Sequence, residues 1–213
     1  DKGADAIMES DAAWFTARGI EFHAGHRVAR IERDRRVVVD ASGVETPYDR
    51  LVLATGSDPI LLPLPGANLP EVMTFRDLAD VDRLIAASRT AQRAVVIGGG
   101  LLGLEAAFGL RRRGLEVTVV HLMGHLMERQ LDAEAGAYLR HALERLGIAF
   151  ALSANTAAIE GDTHVTGVRL HDGGVMPADL VVMAVGIRPN VALAREAGLA
   201  VGRGVIVDDT LTT

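Results

Sequence analysis

The stretch Ala94-Val95-Val96-Ile97-Gly98-Gly99-Gly100-Leu101-Leu102-Gly103 decides the fold. Four apolar residues in a row predict a strand covered on both faces. Gly98, Gly100 and Gly103 then follow at Gly-x-Gly-x-x-Gly spacing. Downstream the pattern predicts a helix to Arg113, a stop at Gly114 and a second strand, Val117-Thr118-Val119-Val120. Strand, glycine turn, helix and strand within about 30 residues make a βαβ unit of the dinucleotide-binding kind.

Each residue of the turn has a physical task. Gly98 takes backbone angles that a side chain would resist, Gly100 leaves room for a pyrophosphate, and Gly103 lets the helix lie close on the strand. Free N–H groups at the helix start, around Gly99, Leu101 and Leu102, add the positive end of the helix dipole. A purely structural turn is the competing reading, and the strand and helix on either side weigh against it.

A carboxylate that reads the ribose of NAD belongs about 20 residues further on, at the end of the second strand. His121 occupies that place, and Glu116 lies at the wrong end of the strand. His121 could bond the ribose or face a 2′-phosphate; an ordinary, partly exposed histidine is the alternative. With no carboxylate there, the sequence predicts discrimination between NADH and NADPH within about tenfold, and a shift toward NADH in His121→Glu. His121 and His125 are four apart but interrupted by a glycine and lack a third ligand, so no metal site is assigned. Arg111-Arg112-Arg113 reads as a solvated helix C-terminus.

Working outward, helices are expected over 77–89 and 132–146 and strands at Ile148–Phe150 and Leu180–Val185, with a β-meander over 155–176. Pro59, Pro63, Pro65 and Pro70 mark an extended connector. Upstream, 4–18 reads as a helix with Trp14 and Phe15 in the core, Ile20-Glu21-Phe22 as a short strand, and 27–54 as a meander ending in an all-apolar strand, Leu51-Val52-Leu53-Ala54.

The two meanders repeat one another. Gly19-Ile20-Glu21-Phe22 aligns with Gly147-Ile148-Ala149-Phe150, and Ile31-Glu32 with Ile159-Glu160, both at an offset of 128. Pro47, Asp49, Leu51, Gly56 and Pro59 align with Pro177, Asp179, Val181, Gly186 and Pro189 at 130. Residues 19–59 and 147–189 are therefore expected to be equivalent units, with Ala54 and Ala184 each ending a buried strand beside a glycine turn. The first copy's own glycine turn would precede Asp1, so the chain reads as part of something longer.

Composition sets the outer bounds. The 213 residues carry a net charge of −6, against a polyanion-binding role, and no nucleic-acid partner is expected. No apolar run approaches membrane-spanning length and no secretory leader is seen, so no membrane partner is expected and the cytoplasm is the default location. Absence of cysteine excludes disulfides, thiolate nucleophiles and Cys-ligated metal or clusters within these residues.

Three segments resemble FAD-dependent pyridine-nucleotide oxidoreductases: Tyr48-Asp49-Arg50-Leu51-Val52-Leu53-Ala54-Thr55-Gly56, Val95 to Ala107, and Asp179 to Asn190. They lie in the family's order over most of the chain. Val120-His121-Leu122-Met123 with Leu126-Met127-Glu128-Arg129-Gln130-Leu131-Asp132 is similar, more narrowly, to the large subunits of NAD(P)H-dependent assimilatory nitrite reductases. The resemblance implies an α/β fold, with a Rossmann-like NAD(P)-binding domain inserted in a partial FAD-binding domain of the same type, each with a β-meander. The implied spans are 1–56 for the partial FAD domain, 57–92 for connector and helix, 93–203 for the NAD(P) domain, and 204–213 for the return.

It also implies that Glu105 and Gly186 lie near the nicotinamide, and that Val28, Ala54, Thr55 and Gly56 lie on the FAD side. The family's first glycine turn and its later Gly-Asp motif are not among these residues, so poor FAD binding by this chain is expected. Siroheme and an iron–sulfur cluster would belong only to a parent nitrite reductase. The implied reaction is hydride transfer from NAD(P)H to FAD and electrons onward, with the remainder of the parent chain and a small subunit or other electron acceptor as partners. No catalytic side chain is nominated. A ferredoxin- or rubredoxin-reductase-type flavoprotein and a non-catalytic dinucleotide-binding module are the alternatives.

Overall fold

The structure, a computed structural model, describes residues 8–213. It separates into two compact units: residues up to Ser57 together with Pro189–Thr213, and Asp58–Arg188.

The smaller unit begins with α1 (Ala12–Thr16), capped by the Asp11 side chain, which accepts from the Trp14 N–H at 2.8 Å. The helix expected over 4–18 is thus one short turn among the described residues, and residues 4–7 lie outside them. Trp14 is exposed rather than core; it meets Phe15 edge-on, and Phe15 stacks on Phe22 at 4.4 Å. Residues 20–22, expected as a strand, pair with no ladder. A three-stranded antiparallel meander follows: β1 (Val28–Glu32), β2 (Val37–Asp40) and β3 (Glu45–Pro47). The short C-terminal helix of this unit, Ala192–Glu196, lies against β1, and Arg33 donates to the carbonyls of Ala197 and Gly198.

The larger unit has a five-stranded parallel sheet. Its strands are β5 (Val72–Thr74), β6 (Arg93–Ile97), β7 (Glu116–Val120), β8 (Ile148–Ala151) and β12 (Leu180–Met183), in the order β5-β12-β6-β7-β8. Side chains alternate across it. Val96, Val119 and Val182 point into one core with helices α2 (Leu78–Ala87), α3 (Leu101–Arg112) and α4 (Ala133–Arg145). Val95, Val120 and Val181 point into a second core under the meander β9 (Thr156–Glu160), β10 (Gly167–Leu170) and β11 (Val175–Pro177). Both faces are covered, which is why these strands read as unbroken apolar runs.

The meanders repeat residue by residue. Ile31 opposite Val38 matches Ile159 opposite Val168, and Val38 opposite Thr46 matches Val168 opposite Met176. Even the irregularity recurs: Val28 opposite Asp40 matches Thr156 opposite Leu170, each one residue out of step with its ladder. Two unrelated meanders would not share a displaced pair at the same place.

The strand half of the expected repeat does not hold. Leu180–Met183 is a buried strand between β5 and β6, but Leu51–Ala54 has no ladder among the described residues, and Val52 is 86% exposed. An apolar run becomes a parallel strand only where neighbouring strands supply its hydrogen bonds. The compact division also differs from the expected spans. Residues 72–87 of the connector join the sheet and helix layer, because β5 pairs with β12, while 189–203 fall in the smaller unit. The chain crosses between units within β4 (Ser57–Pro59) and β13 (Ile187–Pro189).

The aspartate in the repeated Pro-x-Asp pattern has a visible task in the second copy. Asp179 accepts from the Gln92 and Arg93 N–H groups at 3.1 and 2.9 Å and from the Arg93 guanidinium at 2.7 Å, fixing the start of β6 beside β12. The Arg93 guanidinium, followed by those N–H groups, holds its carboxyl below the usual range. A carboxyl depressed in the folded state adds stability above the unfolded value near pH 4, and this is lost as pH falls through the folded value. Asp179→Asn should therefore lower stability at pH 7 by about 1 kcal/mol, discounted for the exposed Arg93. Urea midpoints of the two proteins should converge below pH 4; a gap that does not narrow there would refute this account.

Candidate functional site

The site grows from the order of the strands. β6 has β7 on one side and β12 on the other; from the end of β6 the chain turns toward β7, from the end of β12 it leaves the sheet for Ile187–Pro189, and a crevice opens between the two strand ends. A cleft of about 620 Å³ lies at this point, walled by residues 97–102, 120–123, 128–130, 154–156 and 183–187. All of them belong to the larger unit.

The glycine turn forms its floor, and each glycine meets something different. A Cβ on Gly98, whose φ is +122°, would lie 2.3 Å from the Ala184 carbonyl oxygen, and one on Gly103 would lie 2.0 Å from the Gly98 oxygen. These two hold strand, turn and helix in contact. A Cβ on Gly99 would strike the His121 ring at 2.7 Å. Around a Cβ on Gly100 there is nothing within 4 Å, so this backbone faces open space. Gly100 is also the N-cap of α3 and offers no side chain to the first-turn N–H groups. Those donors and the helix dipole are aimed at the cleft, an arrangement suited to an anion.

The structure brings Gly98, Gly99, Gly100, Leu101, Leu102, His121 and Gly186 to the cleft wall. Gly103 lies beneath, packed on Gly98, and Glu105 is exposed on α3 off the lining. Gly186 has φ +127° and its carbonyl accepts from the Ile60 N–H at 3.0 Å. The remaining four candidates lie in the smaller unit. Val28 is on β1, and Ala54, Thr55 and Gly56 follow the unpaired run; the Thr55 hydroxyl donates to the Asn190 carbonyl at 2.7 Å, while Asn190 Nδ2 donates to the Thr55 carbonyl at 3.1 Å.

His121 differs from its expected setting. Its ring is buried: Nδ1 accepts the Gly99 N–H at 3.1 Å, and Nε2 lies 3.0 Å from Glu128 Oε2. Since Nδ1 accepts, the ring proton sits on Nε2 and is donated to the carboxylate. A carboxylate therefore does stand at the end of β7, supplied by a residue seven positions on. Reading along the strand for an acidic residue misses it, because the turn after β7 brings Glu128 back. His125 turns elsewhere, with Nε2 3.2 Å from the Leu131 carbonyl. Arg111, expected as a solvated end, reaches the carbonyls of Leu146 and Leu115 at 3.2 and 3.3 Å and ties α3 to the turn after α4.

The cleft fits a dinucleotide on two observations of its own: the open approach over Gly100, and the buried Thr156 Oγ1 on its wall, which has no hydrogen-bond partner. A flavin is a different matter. The candidates Val28 and Ala54–Gly56 lie in exposed chain, and the smaller unit has no glycine turn for a pyrophosphate among the described residues.

Parallel strands around a switch point, a glycine turn and a meander covering one face of the sheet define a dinucleotide-binding fold. The chain belongs to the pyridine nucleotide-disulphide oxidoreductase family, whose model matches residues 5–213. It is 48% identical over 207 residues to nitrite reductase [NAD(P)H] of Bacillus subtilis, covering 97% of this chain and 26% of that protein. It is 42% identical to the nitrite reductase [NAD(P)H] large subunit of Klebsiella oxytoca, covering 100% of this chain and 22% of that one. Among solved structures it resembles the ferredoxin reductase for the CYP199A2 system of Rhodopseudomonas palustris, with TM-score 0.94 and 37% identity over 98% of this chain and 52% of that one. The chain thus spans about a quarter of those nitrite reductases and half of the ferredoxin reductase. Among the described residues, no helix is long and apolar enough to cross a membrane.

Proposed function

We propose that the larger unit binds NAD(P)H in the cleft over Gly100, and that the chain is the pyridine-nucleotide part of a flavoprotein that delivers electrons for nitrite reduction to ammonia. The open backbone at Gly100 under an uncapped helix start carries this reading. The residues of this chain bind and orient: α3 holds the pyrophosphate by its first N–H groups, and Gly186 and Ile187 wall the nicotinamide end. Glu105, Val28, Ala54, Thr55 and Gly56 are proposed contacts of the assembled flavoprotein, by resemblance alone.

The 48% identity to a nitrite reductase favours nitrite as the destination of the electrons. The likeness to a ferredoxin reductase supports a second reading, in which a small iron–sulfur protein takes them. Calorimetry should show one NADH or NADPH bound per chain. The longer protein that contains this chain should oxidise NAD(P)H with nitrite and release ammonium. Reduction of a ferredoxin without nitrite turnover would establish the second reading instead, and no nucleotide binding would remove both.

A further inference from the structure

The carboxylate at the end of β7 has a further use, which rests on the nucleotide reading above. Gly99 is clamped twice by the segment that follows β7. Its N–H donates to His121 Nδ1 at 3.1 Å, and its carbonyl accepts the Met127 N–H at 3.0 Å. Leu126 is fully buried beneath, and Met127 sits at φ +52°, a left-handed angle that a side-chain-bearing residue keeps only when its surroundings fix it. Glu128 is the next residue, so its backbone is set against the glycine turn. Its side chain is set by His121, which donates to Oε2 at 3.0 Å.

The other carboxylate oxygen, Oε1, has no protein partner among the described residues, and Glu128 lines the cleft with 26% of its side chain exposed. This is an acceptor held at the end of the second strand, where the ribose of a dinucleotide lies when its pyrophosphate sits over the turn. We propose that Glu128, aimed by His121, accepts from the ribose hydroxyls of the coenzyme's adenosine half and makes the protein select NADH over NADPH. A fixed carboxylate bonds a 2′-hydroxyl and repels a 2′-phosphate. Arg129 is the opposing influence on the same wall, since a guanidinium would welcome that phosphate. Glu128 prevails in this account because its oxygen is positioned through His121 and the turn. The role of His121 is positioning, and the sequence-based expectation of near-equal use of the coenzymes is replaced by one of selection.

The test is titration of NADH and NADPH separately into the wild-type chain, Glu128→Gln, His121→Phe and Gly100→Val, with each variant's melting temperature recorded. The wild type should favour NADH by more than about tenfold. Glu128→Gln, which keeps the shape and removes the charge, should bind NADH about tenfold more weakly and NADPH more tightly, bringing the ratio near one. His121→Phe retains Glu128 but frees it, and should lower the ratio too. Opposite movements of two affinities cannot come from a general loss of fold. A wild type that prefers NADPH or does not discriminate overturns the proposal, as does an unchanged ratio in Glu128→Gln. Those outcomes leave the cleft reading intact provided Gly100→Val abolishes binding. Absence of binding by the wild type, or unchanged binding in Gly100→Val, overturns the cleft reading and the proposal with it.

Discussion

Gly103→Val should cripple the larger unit. The added side chain begins 2.0 Å from the Gly98 carbonyl oxygen and 3.4 Å from the Ala184 Cβ, and the first of these is backbone of the turn that leaves β6. No rotamer relieves a clash that starts at Cβ, so α3 must lift from β6 and open the core around Val96, Ala107 and Leu110. Overpacking of this kind costs about 3 kcal/mol. For a chain of this size that lowers Tm by roughly 6–12 °C. Differential scanning calorimetry or urea unfolding measures it directly. A variant that melts like the wild type would mean that helix and strand are not in the contact described.

Gly100→Val, three residues earlier, should have the reverse profile. Gly100 has φ −83° and ψ −177°, angles open to any residue, and nothing stands within 4 Å of an added Cβ. Valine makes a poorer N-cap than glycine, so stability should fall by no more than about 1 kcal/mol. Its methyl groups would occupy the space through which a pyrophosphate reaches the first-turn N–H groups, and NAD(P)H affinity should drop by at least about a hundredfold, roughly 2.7 kcal/mol. Calorimetric titration beside a melting curve separates the effects. Wild-type affinity in a folded Gly100→Val protein would reduce the turn to a structural device. The pair of variants thus assigns different tasks to two glycines of one motif.

Local signals in the sequence carried the site's frame. The glycine turn is legible because a buried strand, three spaced glycines and an amphipathic helix are consecutive, and each constrains the next. The meanders are legible because the same side chains recur at a fixed spacing, and the ladders reproduce that spacing to the displaced pair. What escaped depends on partners remote in sequence. Val72–Thr74 is three residues beside a proline-rich connector, and it is a strand only because β12, more than a hundred residues later, lies alongside. Leu51–Ala54 has the composition of such a strand, but composition cannot supply a ladder. Trp14 satisfies helical spacing yet stays exposed, and Phe15 packs only on Phe22 and Trp14 rings among the described aromatic contacts. Position along the chain singles out His121, but its burial and its link to Glu128 follow from the turn at Met127, which apolar periodicity does not encode.

The order β5-β12-β6 also has a consequence for how the molecule comes into being on a ribosome. β5 and β6 are the first strands of the five-stranded sheet to be made, and they are not neighbours. The strand that separates them, Leu180–Met183, is the last. Until it emerges, β6, β7 and β8 can assemble with their helices, but the β6 edge is bare and β5 has nothing to pair with. Closing the sheet is therefore a late, long-range event, the kind of step that slows folding and leaves a nascent chain adhesive. The crevice shares that timing, because one of its walls is the end of β12: a half-made chain carries the glycine turn but not the place it serves.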